Sequence, residues 1–318
     1  MRRLLDVAVL LALSVSLACF LVGRLGPAPF ESLASPWTLQ VGVVMSLATV
    51  GAALLGRRRI SLAMLPVLGW AGWVVIPVLL TMPSGGEGPA VRIVSINVGV
   101  TEAPDRAGLE WLASTRADLV ALLECTPGWV EAVESIERED GRRWSTVLSR
   151  PSSNDAGGIA LFGLDALRGD RFSRPVEGGL PQLEATATTR LGPLRILVVH
   201  PIPPLGAHMT TIRNRTFDWM ADRCMDSLLP VIVVGDLNET PFGRTFRTFV
   251  ADTGHRSSTG WSPSWPKRIR GIGIPMPLRI PIDHVLVPPG YVIRSHRLGP
   301  DLGSDHLPIV IEVAREPG

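Results

Sequence analysis

Three long apolar stretches, at residues 4–22, 37–55 and 62–80, fill most of the first 80 positions of this 318-residue chain. Each is long enough to cross about 30 Å of hydrocarbon as a helix. A helix with so little polar face has nothing to offer water, so residues 1–82 read as a membrane anchor of three transmembrane helices. The mean hydropathy of +0.27, with only 19% charged residues, agrees. A cleavable signal peptide is the rival reading for the first stretch, since Arg2 and Arg3 precede it. No small-x-small cleavage site followed by a polar segment appears before Gly23. Cys19 matches a lipidation box poorly, because Ser16 stands where an aliphatic residue is usual.

Arginine placement predicts the orientation. Arg2 and Arg3 precede the first span and Arg57, Arg58 and Arg59 link the second to the third, so those ends belong in the cytoplasm. Between the first two spans lie only Arg24 and Glu31, and residues 81–89 carry no positive charge. The expected localisation is thus the cytoplasmic membrane, multi-pass, with the N-terminus cytoplasmic and everything after the third span extracytoplasmic.

The Gly/Pro/Ser-rich residues 83–90 read as a linker. Beyond it, residues 91–314 change to short β-type runs separated by turns and helical patterns, enough chain for one large core. Strands are expected at 91–96, 119–123, 158–162, 194–199, 231–234, 282–287 and 307–313. One expected helix is capped by Asp105 and buries Leu109, Leu112 and Ala113. A second carries Ile212, Phe217, Met220, Cys224 and Leu228 on one stripe, and a third carries Phe242, Phe246 and Phe249. The net charge of +2, with Lys267 as the sole lysine, argues against holding nucleic acid by bulk charge. Three unpatterned cysteines argue against disulfides and structural zinc.

Four expected strands end in a polar residue: Asn97, Glu124, His200, and Asp236 followed by Asn238. Two others begin beside one, after Asp283 and after Asp305-His306. If all six converge on one rim, the last two strands run against the first four, so the sheets must be mixed or antiparallel.

In this order the motifs Ser95-Ile96-Asn97, Leu123-Glu124, Gly158-Ile159-Ala160-Leu161, Val199-His200-Pro201, Gly235-Asp236-Leu237-Asn238-Glu239-Thr240-Pro241, Ile282-Asp283-His284 and Ser304-Asp305-His306 resemble the endonuclease/exonuclease/phosphatase superfamily. The resemblance covers about residues 91–314. It implies an α+β fold, a four-layer α/β/β/α sandwich of two mixed sheets, and a metal-dependent phosphoric ester hydrolase that attacks with water.

The chemistry needs these residue types. A hard divalent cation, Mg²⁺ or alternatively Mn²⁺, neutralises the phosphate and takes oxygen ligands. Glu124, Asn97 and Asp305 are the expected ligands. The resemblance makes Asp236 the base that orients and deprotonates water and Asn238 the amide donor to phosphate. His306, oriented by Asp283, stabilises or protonates phosphate oxygens, and His200 contacts the scissile phosphate or leaving group. His208, His255 and His296 read as surface residues, and Cys125 and Cys224 as packing. Arg213 and Arg215 read equally well as phosphate contacts or as a solvated helix face.

Residues 259–270, continuing through Pro275 and Pro277, combine aromatic, basic and proline residues. Trp261 and Trp265 are expected to bind substrate, either by stacking bases or by holding an amphiphilic phosphate at the membrane surface. Topology favours the second: the partners are the lipid bilayer and a phosphorylated, lipid-linked substrate, with no obligate protein partner. The arrangement is also similar to bacterial envelope proteins of the glycopeptide-resistance type, which implies polyprenyl-pyrophosphate chemistry. An extracellular endo- or exonuclease is the alternative, and nucleic acid is a partner only there. A binding protein with a degenerate site would have lost some of Asn97, Glu124, Asp236, Asn238 and His306, and all are present.

The orientation is checked by fusing reporters after Gly318. A reporter that works only outside the cytoplasm should be active and one that works only in the cytoplasm silent. The reverse pair of results would overturn the topology.

Overall fold

The computed structural model describes residues 2–81, 83, 88–101, 105–137, 140–257 and 260–316. Residues 84–87 of the expected linker, and Thr259 of the aromatic and basic stretch, lie outside the described residues.

The N-terminal part is helical: α1 (Arg2–Leu25), α2 (Ala28–Ala34), a 3₁₀ turn (Ser35–Trp37), α3 (Thr38–Leu54) and α4 (Arg58–Leu79). Three helical segments, 3–25, 28–54 and 58–79, are long and apolar enough to cross a membrane. Helix α2 is absent from the sequence reading. Pro27 lies just before it and Pro36 follows it, and proline is tolerated at helix starts but breaks helix interiors. The three long helices pack through Phe20, Met45, Ala52 and Met64 among others.

The remainder forms two six-stranded mixed sheets. The first has the order β13 (Tyr291–Leu298), β14 (Ile309–Arg315), β1 (Ala90–Asn97), β2 (Leu119–Leu123), β4 (Ile159–Gly163), β3 (Thr146–Arg150). The second runs β5 (Leu167–Ser173), β6 (Gln182–Thr189), β7 (Gly192–Val199), β8 (Val231–Asp236), β12 (Asp283–Val287), β9 (Arg256–Ser257). A separate small hairpin joins β10 (Arg268–Ile269) and β11 (Ile272–Gly273). Each six-stranded sheet has one parallel pair, β1 with β2 and β7 with β8; β14 runs antiparallel to β1 and β12 antiparallel to β8.

Burial defines the layers. One cluster, with Ile93, Ala121, Ile196, Val234, Val285 and Ile309, draws from both sheets and fills the space between them. A second lies between the first sheet and α5 (Arg106–Ser114) with α6 (Pro127–Glu134), and a third between the second sheet and α7 (Ala207–Met225) with α8 (Arg244–Thr253). The fold is therefore an α/β/β/α sandwich. Asp105 caps α5 by accepting from the Gly108 N–H at 2.8 Å.

Besides the small hairpin β10–β11, the strands of the two large sheets missing from the sequence reading are β3, β5, β6, β9 and β13. All but β6 lie at sheet edges, where one side of the strand lacks a partner and apolar runs are disfavoured. Two other expectations fail. Helix α7 stops at Met225, leaving Leu228 fully exposed rather than on the apolar stripe. His255 is buried, with Nε2 3.0 Å from the Val231 carbonyl and its ring beside Phe249, because the chain leaving α8 folds under the sheet.

Strand alternation aims the rim residues. In β1 the inner-core residues are Val91 and Ile93, which puts Asn97 on the inner face; Ile196 and Val198 do the same for His200, Ile232 and Val234 for Asp236, and Val285 and Val287 for Asp283. The same rule turns His284 outward, where its ring meets Phe246.

Gly235, just before Asp236, has φ of +149°, and a Cβ there would lie 1.9 Å from the Val199 carbonyl oxygen of β7. Gly235→Ala should cost at least about 2 kcal/mol, from backbone strain and overpacking together. A thermal unfolding midpoint equal to wild type would show that the two strands do not approach this closely.

Candidate active site

Six strand ends meet at one end of the inter-sheet core. Asn97, at the end of β1, bridges the two sheets: its Nδ2 donates to Glu124 Oε1 and to Asp236 Oδ2, both at 3.1 Å. Its Oδ1 accepts from the Gly99 N–H at 3.0 Å, so the amide nitrogen, not the expected neutral oxygen, faces the carboxylates. Glu124 follows β2. Alternation alone would send it outward with Val120 and Leu122, but a left-handed φ of +54° turns it toward Asn97. Asn238 is likewise left-handed, at +48°. Non-glycine residues in this region cost free energy and cluster at functional sites.

On the second sheet, Asp236 and Asp283 are direct cross-strand partners. His306 Nδ1 donates to Asp283 Oδ2 at 2.9 Å, which leaves Nε2 3.7 Å from Asp236 Oδ2. His200 Nε2 lies 3.6 Å from Glu124 Oε1 and 3.7 Å from Asp236 Oδ2. Asn238 donates its backbone N–H to Asp236 Oδ1 at 2.9 Å and its amide to the Pro201 carbonyl at 2.9 Å. Asp305 is the most open member, with a side chain 44% exposed.

Of the two tryptophans, Trp265 reaches this group and Trp261 packs on Phe242. Trp265 Nε1 donates to Asp305 Oδ2 at 2.9 Å, and its ring stands 6.2 Å from that of His306. Trp265 therefore holds a rim carboxylate rather than projecting as a free interfacial anchor. Sequence reasoning missed Ser264, whose hydroxyl donates to Asp283 Oδ2 at 2.5 Å, and Gln182, whose Oε1 accepts from the His200 N–H at 2.8 Å. Neither lies in a motif that would mark it. Arg213 was also misread. It is neither solvated nor turned to phosphate, but fully buried with Nη1 2.6 Å from Glu239 Oε2, while Arg215 is exposed.

The two histidines differ in charge. Burial lowers the pKa of His200, only partly offset by Asp236, and keeps the ring neutral. Burial would lower that of His306 too, but Asp283, by charge and hydrogen bond, and Asp236 raise it to about 10. Burial, with Asp283 nearby, pushes the Asp236 carboxyl up to about 6 against the pull of His306 and His200. Burial also raises Glu124, opposed by the Asn97 hydrogen bond. The Cys125 thiol is pushed up to about 12 by burial, so it supplies no thiolate nucleophile.

Among the described residues, Asp236, Asp283 and His306 bring one ligand atom each within 4.8 Å of one another, an arrangement able to hold a metal ion. The Asp283–His306 hydrogen bond already uses that pair on itself, whereas Glu124 and Asp305 offer carboxylate oxygens beside it. Carboxylates with no thiolate suit a hard cation such as Mg²⁺.

The sequence from 94 to 306 matches the model of the Endonuclease/Exonuclease/phosphatase family. The chain belongs to this family. Its members are hydrolases of phosphodiester or phosphomonoester bonds. Among solved structures, it is similar to an endonuclease/exonuclease/phosphatase from Beutenbergia cavernae DSM 12333 (17% identity, 72% of each chain, TM-score 0.56). It is also similar to D. rerio TDP2 complexed with a single-strand DNA product (15%, 71% of this chain and 100% of that one, 0.55). A third is the human Nocturnin catalytic domain with bound sulfate (17%, 74% and 97%, 0.52). At these identities the likeness is one of fold. No curated protein sequence matches the chain.

The family's chemistry gives this geometry a pH signature. Below about 6 Asp236 holds a proton and cannot accept one from water; above about 10 His306 loses its positive charge. Turnover should follow a bell with limbs near those values. Asp236→Asn should lower kcat by at least about 100-fold, the usual scale of general-base help. Near-normal turnover in that variant, or a rate flat from pH 5 to 8, would remove Asp236 from this role.

Proposed function

We propose that the protein is a membrane-anchored, divalent-metal-dependent phosphoesterase that hydrolyses a phosphate ester or pyrophosphate carried by a lipid at the outer face of the cytoplasmic membrane. The observation that carries this reading is where the apolar helices touch the catalytic domain. Among the described residues, the hydrogen bonds between them fall on loops and on the N-terminal parts of α7 and α8, at the end of the sandwich that carries the polar rim. Gln40 Nε2, on α3, donates to the carbonyls of Pro277 at 3.2 Å and Arg279 at 3.0 Å. Arg244 donates to the Gly26 carbonyl at 3.1 Å, and Gly260 lies so close to the Thr81 carbonyl that a Cβ would sit 2.6 Å from its oxygen. The loops that carry Asn238 and Trp265 are thus set beside the apolar helices. A head group in the adjoining leaflet meets this rim sooner than a polymer in free solution does.

A bound Mg²⁺, held by Glu124 and Asp305 beside Asp236, would neutralise phosphate charge. The chain's own groups do the rest. Asp236 orients water and takes its proton. His306, held cationic by Asp283, faces the negative phosphate oxygens, and neutral His200 offers a hydrogen bond to the phosphate or the leaving oxygen. Asn238 is fixed beside them by Asp236 and Pro201. The similarity to glycopeptide-resistance envelope proteins supports a polyprenyl pyrophosphate as the lipid.

The test is full-length purified protein with Mg²⁺ against polyprenyl pyrophosphate, phospholipids, inositol phosphates and single- and double-stranded DNA. Phosphate release from a lipid-linked substrate, abolished by chelation, is expected. Glu124→Gln should raise the Mg²⁺ concentration needed for half-maximal rate by about 10-fold or more, since a ligand charge is lost. Full activity after exhaustive chelation would sink the metal requirement. Cleavage of DNA with lipids untouched would establish the nuclease alternative instead.

A further inference from the structure

A segment that only tethers a domain has no reason to bury charge. The connection between α1 and α3 buries Glu31 and Ser32 almost completely, and both are joined to the loop that carries Asp236 and Asn238. Glu31 Oε1 accepts the backbone N–H of Arg244, the first residue of α8, at 2.9 Å. That helix begins after Gly243, which has no side chain to cap it, so the anchor serves its unpaired N–H from outside. Arg24, at the end of α1, donates to the Phe242 carbonyl. Ser32 Oγ accepts from Arg213 Nη2 at 2.7 Å. The same guanidinium lies 2.6 Å from Glu239 Oε2 and 3.5 Å from the Asn238 carbonyl oxygen.

Residues 238–244 are therefore held from the anchor side at Phe242 and Arg244 directly, and at Asn238 and Glu239 through Arg213. The loop needs holding. Asn238 is in a left-handed conformation that persists only where its surroundings over-determine it, and a buried carboxylate such as Glu239 is costly unless paired.

We propose that Glu31 and Ser32, on the short helix α2 between α1 and α3, are positioning residues for the reaction: through Arg244 and the Arg213–Glu239 pair they hold Asp236 and Asn238 in working geometry. The anchor is then a structural part of the catalytic centre. This rests on the reading of Asp236 and Asn238 as catalytic groups.

The experiment uses the full chain in detergent micelles, with bis(p-nitrophenyl) phosphate and Mg²⁺ for turnover and amide hydrogen exchange over residues 236–247 for the loop. Glu31→Ala should lower kcat between about 10-fold and about 100-fold, the scale of an ångström-sized misplacement, with KM and the Mg²⁺ requirement close to wild type. Exchange across 236–247 should rise while β2, in the other sheet, keeps its protection. Glu31→Gln, which retains the accepting oxygen, should restore both readouts. Ser32→Ala is the milder variant and decides the matter if Glu31→Ala does not fold. Wild-type kcat and unchanged exchange in whichever variant folds would overturn the proposal. Should the wild-type protein fail to cleave the ester, the exchange arm alone decides whether the anchor holds the loop, and the assignment of catalytic groups fails separately.

Discussion

The hydrogen bond from Asn97 to Asp236 spans the gap between the two sheets, and the catalytic end of the molecule is organised around it. Each sheet contributes one parallel pair whose C-terminal ends carry polar side chains on the inner face. When two such sheets pack on a common apolar core, those side chains must meet at one end. The antiparallel strands β12 and β14 enter at that end and bring Asp283 and the Ser304–His306 segment to it. The site is thus a consequence of strand direction and side-chain parity, completed by the left-handed turns at Glu124 and Asn238.

Crowding these groups sets their electrostatics. Asp236 and Asp283 face each other across adjacent strands, and burial disfavours charge on Asp236. His306 inserts a positive charge between them, and the ring gains more from two carboxylates than it loses by burial. His200, with weaker support, stays neutral. Two histidines a few ångströms from the same aspartate are thereby given different protonation states by their neighbours, one suited to stabilising anionic oxygen and one to donating or accepting a hydrogen bond.

The long apolar N-terminal helices join the same assembly. The short helix α2 lies against α7 and the segment after β8, beside the buried Arg213–Glu239 pair. A flexible tether would leave the placement of the apolar helices against the sandwich free. These contacts instead define a single geometry between the helices and the polar rim.

The apolar stretches, the ordered polar motifs at strand ends and the reversal of the last strands were legible in the sequence, because hydropathy and side-chain alternation are local properties that survive without tertiary context. The edge strands β3, β5, β9 and β13 were not, since a strand with one unpaired side carries little apolar pattern. Nor was the placement of Arg213, Glu239, Glu31 and Ser264. A buried charge and an exposed one are written with the same letter, and only its distant partner decides which it is. Sequence by itself determined which chemistry the rim can perform; the tertiary structure decided which groups carry charge, which oxygen or nitrogen of Asn97 faces inward, and that the anchor reaches the catalytic loop. Those outcomes depend on contacts between residues from 19 to 213 positions apart, which no local pattern records.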